Sequence, residues 1–432
     1  MFNYLKQIWN SKDLRKKILF TILMVIIYRV VSQISVPGAD LEALNSVFSN
    51  NDLLGAFSML TGGSASNLSI VLMGISPYIN ASIIMQLMTV VIPKVEDLQK
   101  EGEAGRKKIN QYTRWLTLPL AFLQSYGMIV LLNSQSNTPI ISNMGDPLTI
   151  LTIMLTITAG TVFLVWLGEL ITEKGIGNGI SIIIFASIIS GVPQMIGQGL
   201  FLAQTDESKL IPFATILLIT IILTAIIVLV NEAQRRIPIT YAGRGIKGKS
   251  EQSYLPIRIN QAGMIPIIFA VSLVSFPSIL ASFLQRAESE WIRIGAEKVA
   301  VLFQVNSPVY MLTYFFLVIG FTYFYVSITF NPDQIAESIQ KRGGYIPGIR
   351  PGKNTADYIG KISSRLNLFG GMFLAFIAIS PMLIQSFFRS MSIGTVPLLV
   401  SGAGMIIIVG VVLEIIRQIN AQLIMHDYNK FY

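Results

Sequence analysis

The sequence predicts an all-α integral membrane protein of ten transmembrane helices, arranged as two inverted five-helix halves. Three observations predict it. The 432-residue chain contains ten apolar runs, each about 20 residues long, as a bilayer-crossing helix requires. Charged residues make up only 13% and hydrophobic residues 52%, with a mean hydropathy of +0.62, whereas a soluble domain carries about 25% charge. With the runs placed on alternating sides, 26 of the 32 Lys and Arg residues fall on one side and five on the other, Arg29 lying inside the first run. That bias places both termini in the cytoplasm.

The runs cover residues 18–36, 70–92, 115–133, 148–170, 180–199, 210–230, 262–285, 308–330, 366–388 and 396–416. The first follows Lys12, Arg15, Lys16 and Lys17 and is too long for the apolar stretch of a cleaved signal peptide, so it reads as a span. Residues 53–69 are half apolar, Gly/Ser-rich at their end and too short to cross. They suit a re-entrant helix sheltered by protein. The fourth and fifth runs are joined by a tight turn, Glu173-Lys174-Gly175-Ile176-Gly177-Asn178-Gly179. The sixth and eighth loops, 231–261 and 331–365, are long, basic and contain Gly and Pro, which suits protruding docking arms. The loop from Arg286 to Ser307 suggests no function. No strand pattern competes with the spans, because lipid admits only helices or closed barrels.

Ten spans divide into five and five near residue 205, giving an N-terminal half, 1–204, and a C-terminal half, 205–432. An odd number of spans per half turns the halves in opposite directions, and inverted repeats of this kind place a pathway at their interface.

The composition excludes several chemistries. There is no Cys and a single His, His426, so disulfides, thiolate chemistry and a His-based metal site or triad within the bilayer are ruled out. No cofactor is expected. Ionisable residues inside spans are usually functional because burying charge is costly. The candidates inside or beside the runs are Arg29, Glu169, Arg389 and Glu414, and all but Arg29 sit close enough to span ends to reach the interface. Midplane carboxylates, which an ion-coupled secondary transporter of a small solute would need, are lacking. Gly243 to Ser250 matches the phosphate-loop pattern G-x-x-x-x-G-K-[ST]. The chemistry requires a strand before it and a helix opening at Lys249, and neither is expected in a short loop with Pro256 close behind. An ATP-driven pump built on Lys249 is therefore disfavoured. Polar residues near span ends, Asn80, Gln86, Asn178, Asn260 and Gln261, read singly as interhelical hydrogen bonds worth about 1 kcal/mol. Together they could line a seam.

Four segments carry a resemblance. Ser76-Pro77-Tyr78-Ile79-Asn80-Ala81-Ser82-Ile83-Ile84-Met85-Gln86-Leu87 resembles a signature of the second span of the SecY family, the channel subunits of the bacterial Sec translocon. Gly168 through Ser181 resembles a second signature. Arg258 through Pro266 resembles the start of the seventh span, and Asn331-Pro332 through Gly348-Ile349-Arg350-Pro351-Gly352 the last large cytoplasmic loop. The likeness runs in order along essentially the whole chain.

The resemblance implies a clamshell of two halves around a central hourglass pore, which translocates unfolded secretory polypeptides across the bacterial cytoplasmic membrane. It also implies release of membrane segments sideways into lipid. The pore ring would be Ile79, Ile83, Ile180, Ile184, Ile268 and Ile407, residues 57–69 the plug, and the second and seventh spans a lateral gate with Gln86 and Asn260. Arg244, Arg350 and Tyr428 would dock the ribosome, including its RNA, or the motor ATPase SecA. SecE-like and SecG-like small subunits would accompany the chain, with signal peptides and lipids as further partners. An apolar ring excludes water and ions by dewetting and makes no fixed hydrogen bonds, so chains of any sequence can slide through it. Such a protein is not an enzyme.

Overall fold

The computed structural model describes residues 7–37, 40, 44, 64, 67–135, 140, 146–205, 210–241, 253–285, 289–304, 307–390 and 401–430. Among these residues thirteen helices dominate. They are α1 (Lys12–Val31), α2 (Ser76–Val91), α3 (Pro93–Lys100), α4 (Glu103–Gln135), α5 (Pro147–Lys174), α6 (Gly179–Thr205) and α7 (Leu210–Glu232). After β1 (Gln234–Tyr241) and β2 (Ser253–Arg258) come α8 (Ile265–Leu284), α9 (Glu290–Leu302), α10 (Pro308–Thr329) and α11 (Pro332–Lys341). The chain closes with β3 (Gly344–Tyr345), α12 (Lys353–Ser390) and α13 (Gly402–Lys430).

Each of the ten predicted runs overlaps a helix among the described residues. Six helices among the described residues are long and apolar enough to cross a membrane, or seven if the bent pair α2 and α3 counts as one span. The helix starts follow local chemistry. Pro77, Pro147, Pro308 and Pro332 occupy first-turn positions, where a missing N–H costs nothing. Asp146, Ser307 and Asn331 accept hydrogen bonds from the free amides of Leu148, Tyr310 and Asp333, so three of these starts are also capped. The second run begins as a helix only at Ser76, because residues 70–75 form turns.

Packing between these helices relies on close backbone approach, since lipid supplies no hydrophobic force between them. A Cβ at Gly160 would meet the Ile70 carbonyl oxygen at 2.0 Å, and one at Gly402 would meet the Ile377 carbonyl oxygen at 2.2 Å. One apolar cluster, including Leu72, Ile129, Ile153 and Ile157, joins α4, α5 and the segment before α2. A second, including Ile227, Ile267, Tyr314, Leu374 and Ile406, joins α7, α8, α10, α12 and α13. The two groups of helices meet where α6 packs on α13 and α7, and where α2 and α4 pack on α8. The outer faces are apolar and bare, as at Leu229, Trp115 and Phe316.

Sequence patterning did not anticipate strands. The sixth and eighth loops fold together through a three-stranded antiparallel sheet of order β2-β1-β3. Ile237 pairs with Leu255 and Thr240 with Tyr345. Ile237, Ile239, Ile257, Ile339, Ile346 and Ile359 form its own core with α11 and α12. In this loop module burial from water does operate, at about 1.5–3 kcal/mol per large aliphatic side chain.

Candidate functional site

The turn between α5 and α6 is held from three sides. The Ile176 amide donates to Thr21 Oγ1 on α1 at 3.1 Å, and the Gly179 amide to Thr172 Oγ1 on α5 at 2.8 Å. The Gly177 amide donates to Gln418 Oε1 on α13 at 2.6 Å. Gly177 has φ +82°, a conformation that favours glycine. Asn178 Oδ1 caps α6 by accepting from the Ser181 amide at 3.3 Å. A Cβ on Gly179 would lie 1.8 Å from the Gly168 carbonyl oxygen, so only glycine lets α6 start against α5. The spacing of glycines in residues 168–181 is thereby explained, and it aims Ile180 and Ile184 at the junction of the two helix groups.

That junction is a third apolar cluster. Ile407 of α13 is buried within it, and Ile79 of α2, Ile180 and Ile184 of α6 and Ile268 of α8 are half-buried against it. Five of the six ring candidates thus come together from four helices. Ile83, one turn along α2 from Ile79, is half-buried and outside that cluster. Three consecutive isoleucines on α13 divide by helical rotation: Ile406 joins the α7–α13 cluster, while Ile407 and Ile408 face the junction. Tyr28 on α1 and Ser187 on α6 share a hydrogen bond at 2.5 Å beside the cluster.

The gate candidates use different partners. Gln86 donates to Ser82 Oγ within α2 at 3.5 Å. Asn260 is buried; it donates to Asn231 Oδ1 at 2.7 Å and accepts from the Gly263 amide at 3.0 Å, fixing the start of α8 beside the end of α7. Gln261 accepts from Ser363 Oγ on α12 at 3.0 Å. Of the docking candidates, Arg350 is exposed on the loop module. Arg244 lies outside the described residues, as do residues 57–63, 65 and 66 of the plug candidate and the phosphate-loop match. The described residues resume at Ser253 as strand β2, not as the helix that motif requires. Tyr428 falls in the last turn of α13, with its side chain outside the described residues.

Charge is arranged at the ends of the bundle. Glu169 forms a two-pronged ion pair with Arg114, at 3.0 and 3.1 Å. Arg417 on α13 pairs with Glu232 at 2.5 Å and donates to the Asn231 carbonyl at 3.2 Å. Arg258 at the end of β2 has its pKa lowered by burial and by like-charged Arg417, with Glu232 and Glu414 opposing. Sequence reasoning missed Thr21, Ser187, Arg417 and Gln418. Each is a lone polar residue whose partner is distant in the chain, and no periodicity marks it.

Comparisons with known proteins bear on this arrangement. A family model described as SecY matches residues 69–416. The protein translocase subunit SecY of Aquifex aeolicus (strain VF5) is 40% identical over 442 residues, covering 100% of this chain and 99% of the relative. That of Halalkalibacterium halodurans is 42% identical over 445 residues and covers 100% of both. Among solved structures, one described as the structure of a protein conducting channel superposes with a TM-score of 0.63 at 20% identity, covering 94% of this chain and 92% of that one. Sec61 in the canine ribosome-channel complex from the endoplasmic reticulum superposes at 0.59 with 18% identity, over 94% and 92%.

Proposed function

This chain belongs to the SecY family of protein translocase subunits, and on that premise we propose which parts of it conduct, open and dock. It is a multi-pass membrane protein and a protein-conducting channel, not a transporter of small solutes. Its family is not a catalytic one, and we read the chain itself as a passive conduit whose energy comes from a partner or from translation.

In our reading ten spans form two inverted halves, 1–204 and 205–432, with both termini in the cytoplasm of a bacterial cell. Ile79, Ile83, Ile180, Ile184, Ile268 and Ile407 make the constriction, and residues 57–69 plug it. The observation that carries this is the convergence of five of these isoleucines, from α2, α6, α8 and α13, in one apolar cluster where the two helix groups meet. Flexible aliphatic side chains seal against ions by dewetting and yield to a passing chain. Parting of α2 from α8, which pack on each other at the junction, would open the side. Gln86 and Asn260 sit on that route. A segment then partitions by its own chemistry: at the helix centre Leu or Ile favours membrane by about 0.3–0.6 kcal/mol, and a charge opposes by about 2.5–3.5 kcal/mol.

The loop module is the proposed docking surface on the cytoplasmic face. Arg350, Arg244 and Tyr428 would meet a motor ATPase of the SecA type or ribosomal RNA, where guanidinium offers two-pronged contacts that Lys cannot match. SecE-like and SecG-like subunits would flank the bundle. Ile407→Asn and Ile268→Asn test the constriction. Each should wet the ring and raise export of substrates with weakened signal sequences by several-fold in a reconstituted translocation assay. Export of those substrates at the parental level would refute the placement.

A further inference from the structure

Helix α9 divides into three sectors along its length. Ile292, Ala296 and Ala300 recur at four-residue intervals on the face turned to the protein, with Ala296 buried, and α9 packs there on α8 and α10. Glu290, Arg293 and Glu297 occupy a polar sector. The third sector is apolar and bare: Trp291 is 78% exposed, Val301 57%, Leu302 47% and Ile294 46%. At about 100° per residue these four fall in one arc, with Lys298 between Ile294 and Trp291. Exposing so much apolar surface to water in a 13-residue helix would be unfavourable. Its surroundings point to another medium. The helix starts six residues after α8 ends and finishes six before α10 begins, and the adjoining ends carry bare apolar side chains too, at Leu280, Leu284, Val309 and Leu312. The apolar outer surface of the bundle therefore continues onto α9.

We propose that α9 lies flat in the bilayer interface, at the end of the bundle opposite the sheet, with Trp291, Ile294, Val301 and Leu302 against the phospholipid acyl–headgroup boundary. Each sector then has a matching neighbour. Indole prefers the headgroup level, where its ring is in apolar surroundings and its N–H is wet. Amphipathic helices with Trp and aliphatic residues on one face and charges on another occupy this depth. Lys298 lays its stem along the apolar arc and extends its ammonium to lipid phosphates. Glu290, Arg293 and Glu297 face water. In this position α9 braces the ends of α8 and α10 against the membrane surface, at one edge of the proposed side opening.

The chain contains no Cys, so single-cysteine variants carrying a nitroxide test the proposal directly. Trp291→Cys, Ile294→Cys and Val301→Cys sample the apolar arc, and Arg293→Cys and Glu297→Cys the polar one, each in the full chain in phospholipid vesicles. Collisions with oxygen, which concentrates in the bilayer, should exceed those with a water-soluble nickel chelate at positions 291, 294 and 301. The order should reverse at 293 and 297. Nickel-dominated collisions at all five positions would overturn the proposal, as would labels at 291, 294 and 301 that are immobile and shielded from both reagents, the signature of a protein partner or a second copy. A second measurement leaves α9 unaltered. Four Trp residues are present, and with Trp9, Trp115 and Trp166 replaced by Phe, brominated phospholipid should quench Trp291. Unquenched emission would contradict the interfacial position.

Discussion

Gln418 Oε1 accepts a hydrogen bond from the Gly177 amide at 2.6 Å across 241 residues of sequence. The last helix thereby fixes the turn that aims Ile180 and Ile184 at the junction. Gly177 is buried and has φ +82°, so its N–H has little alternative partner. Gln418→Leu should strand that donor and cost about 1–3 kcal/mol, whereas Gln418→Glu keeps an acceptor and should lose less. Thermal unfolding in detergent separates the two; equal midpoints for the parent and the Leu variant would dismiss the bond as incidental.

The start of α6 depends on glycine in a different way. Gly179→Ala forces a Cβ into the Gly168 carbonyl oxygen, 1.8 Å away, while Gly191, further along the same helix, has nothing within 4 Å of a built Cβ. Gly179→Ala should sharply lower the yield of folded chain, and Gly191→Ala should not. Yield of monodisperse protein from membranes is the readout, and comparable yields would show that α5 and α6 part without penalty.

Asp146 governs the first turn of α5. Hydrogen bonds from Thr149 and from the Leu148 amide hold its carboxyl below the usual carboxylate pKa. Its capping contribution is therefore full above the unfolded-state pKa and disappears as pH falls through the lower folded value. Hydrogen exchange at the Leu148 amide, corrected for intrinsic rates, should lose protection over that acidic range. Asp146→Asn, which caps without ionising, should remove the titration. A parental chain with pH-independent protection would disprove the capping role.

The helices were legible because the bilayer imposes one requirement, continuous apolar length, and the chain meets it repeatedly. The bases for the remaining features are more scattered. β1 was hidden because Pro238 interrupts it, and a proline argues against a strand except at special positions. Only Ile237 and Ile239 alternate as inward residues there. The helix α9 was overlooked since Gly295 and four charges dilute its apolar content. Ile79, Ile180, Ile184, Ile268 and Ile407 were placed by family likeness, because one isoleucine in an apolar helix looks like any other. Their meeting in one cluster depends on the rotation and tilt of four helices, which no local pattern encodes. Ile83 lies one turn along α2 from Ile79, half-buried and outside that cluster.

Site-specific photocrosslinking to a secretory polypeptide arrested midway through export tests the central claim most directly. A photoreactive residue at Ile184, Ile268 or Ile407 should form adducts with the arrested chain, and one at Phe316, exposed on the outer face of α10, should not. Absence of adducts at all three junction positions, with capture elsewhere in the bundle, would contradict the account.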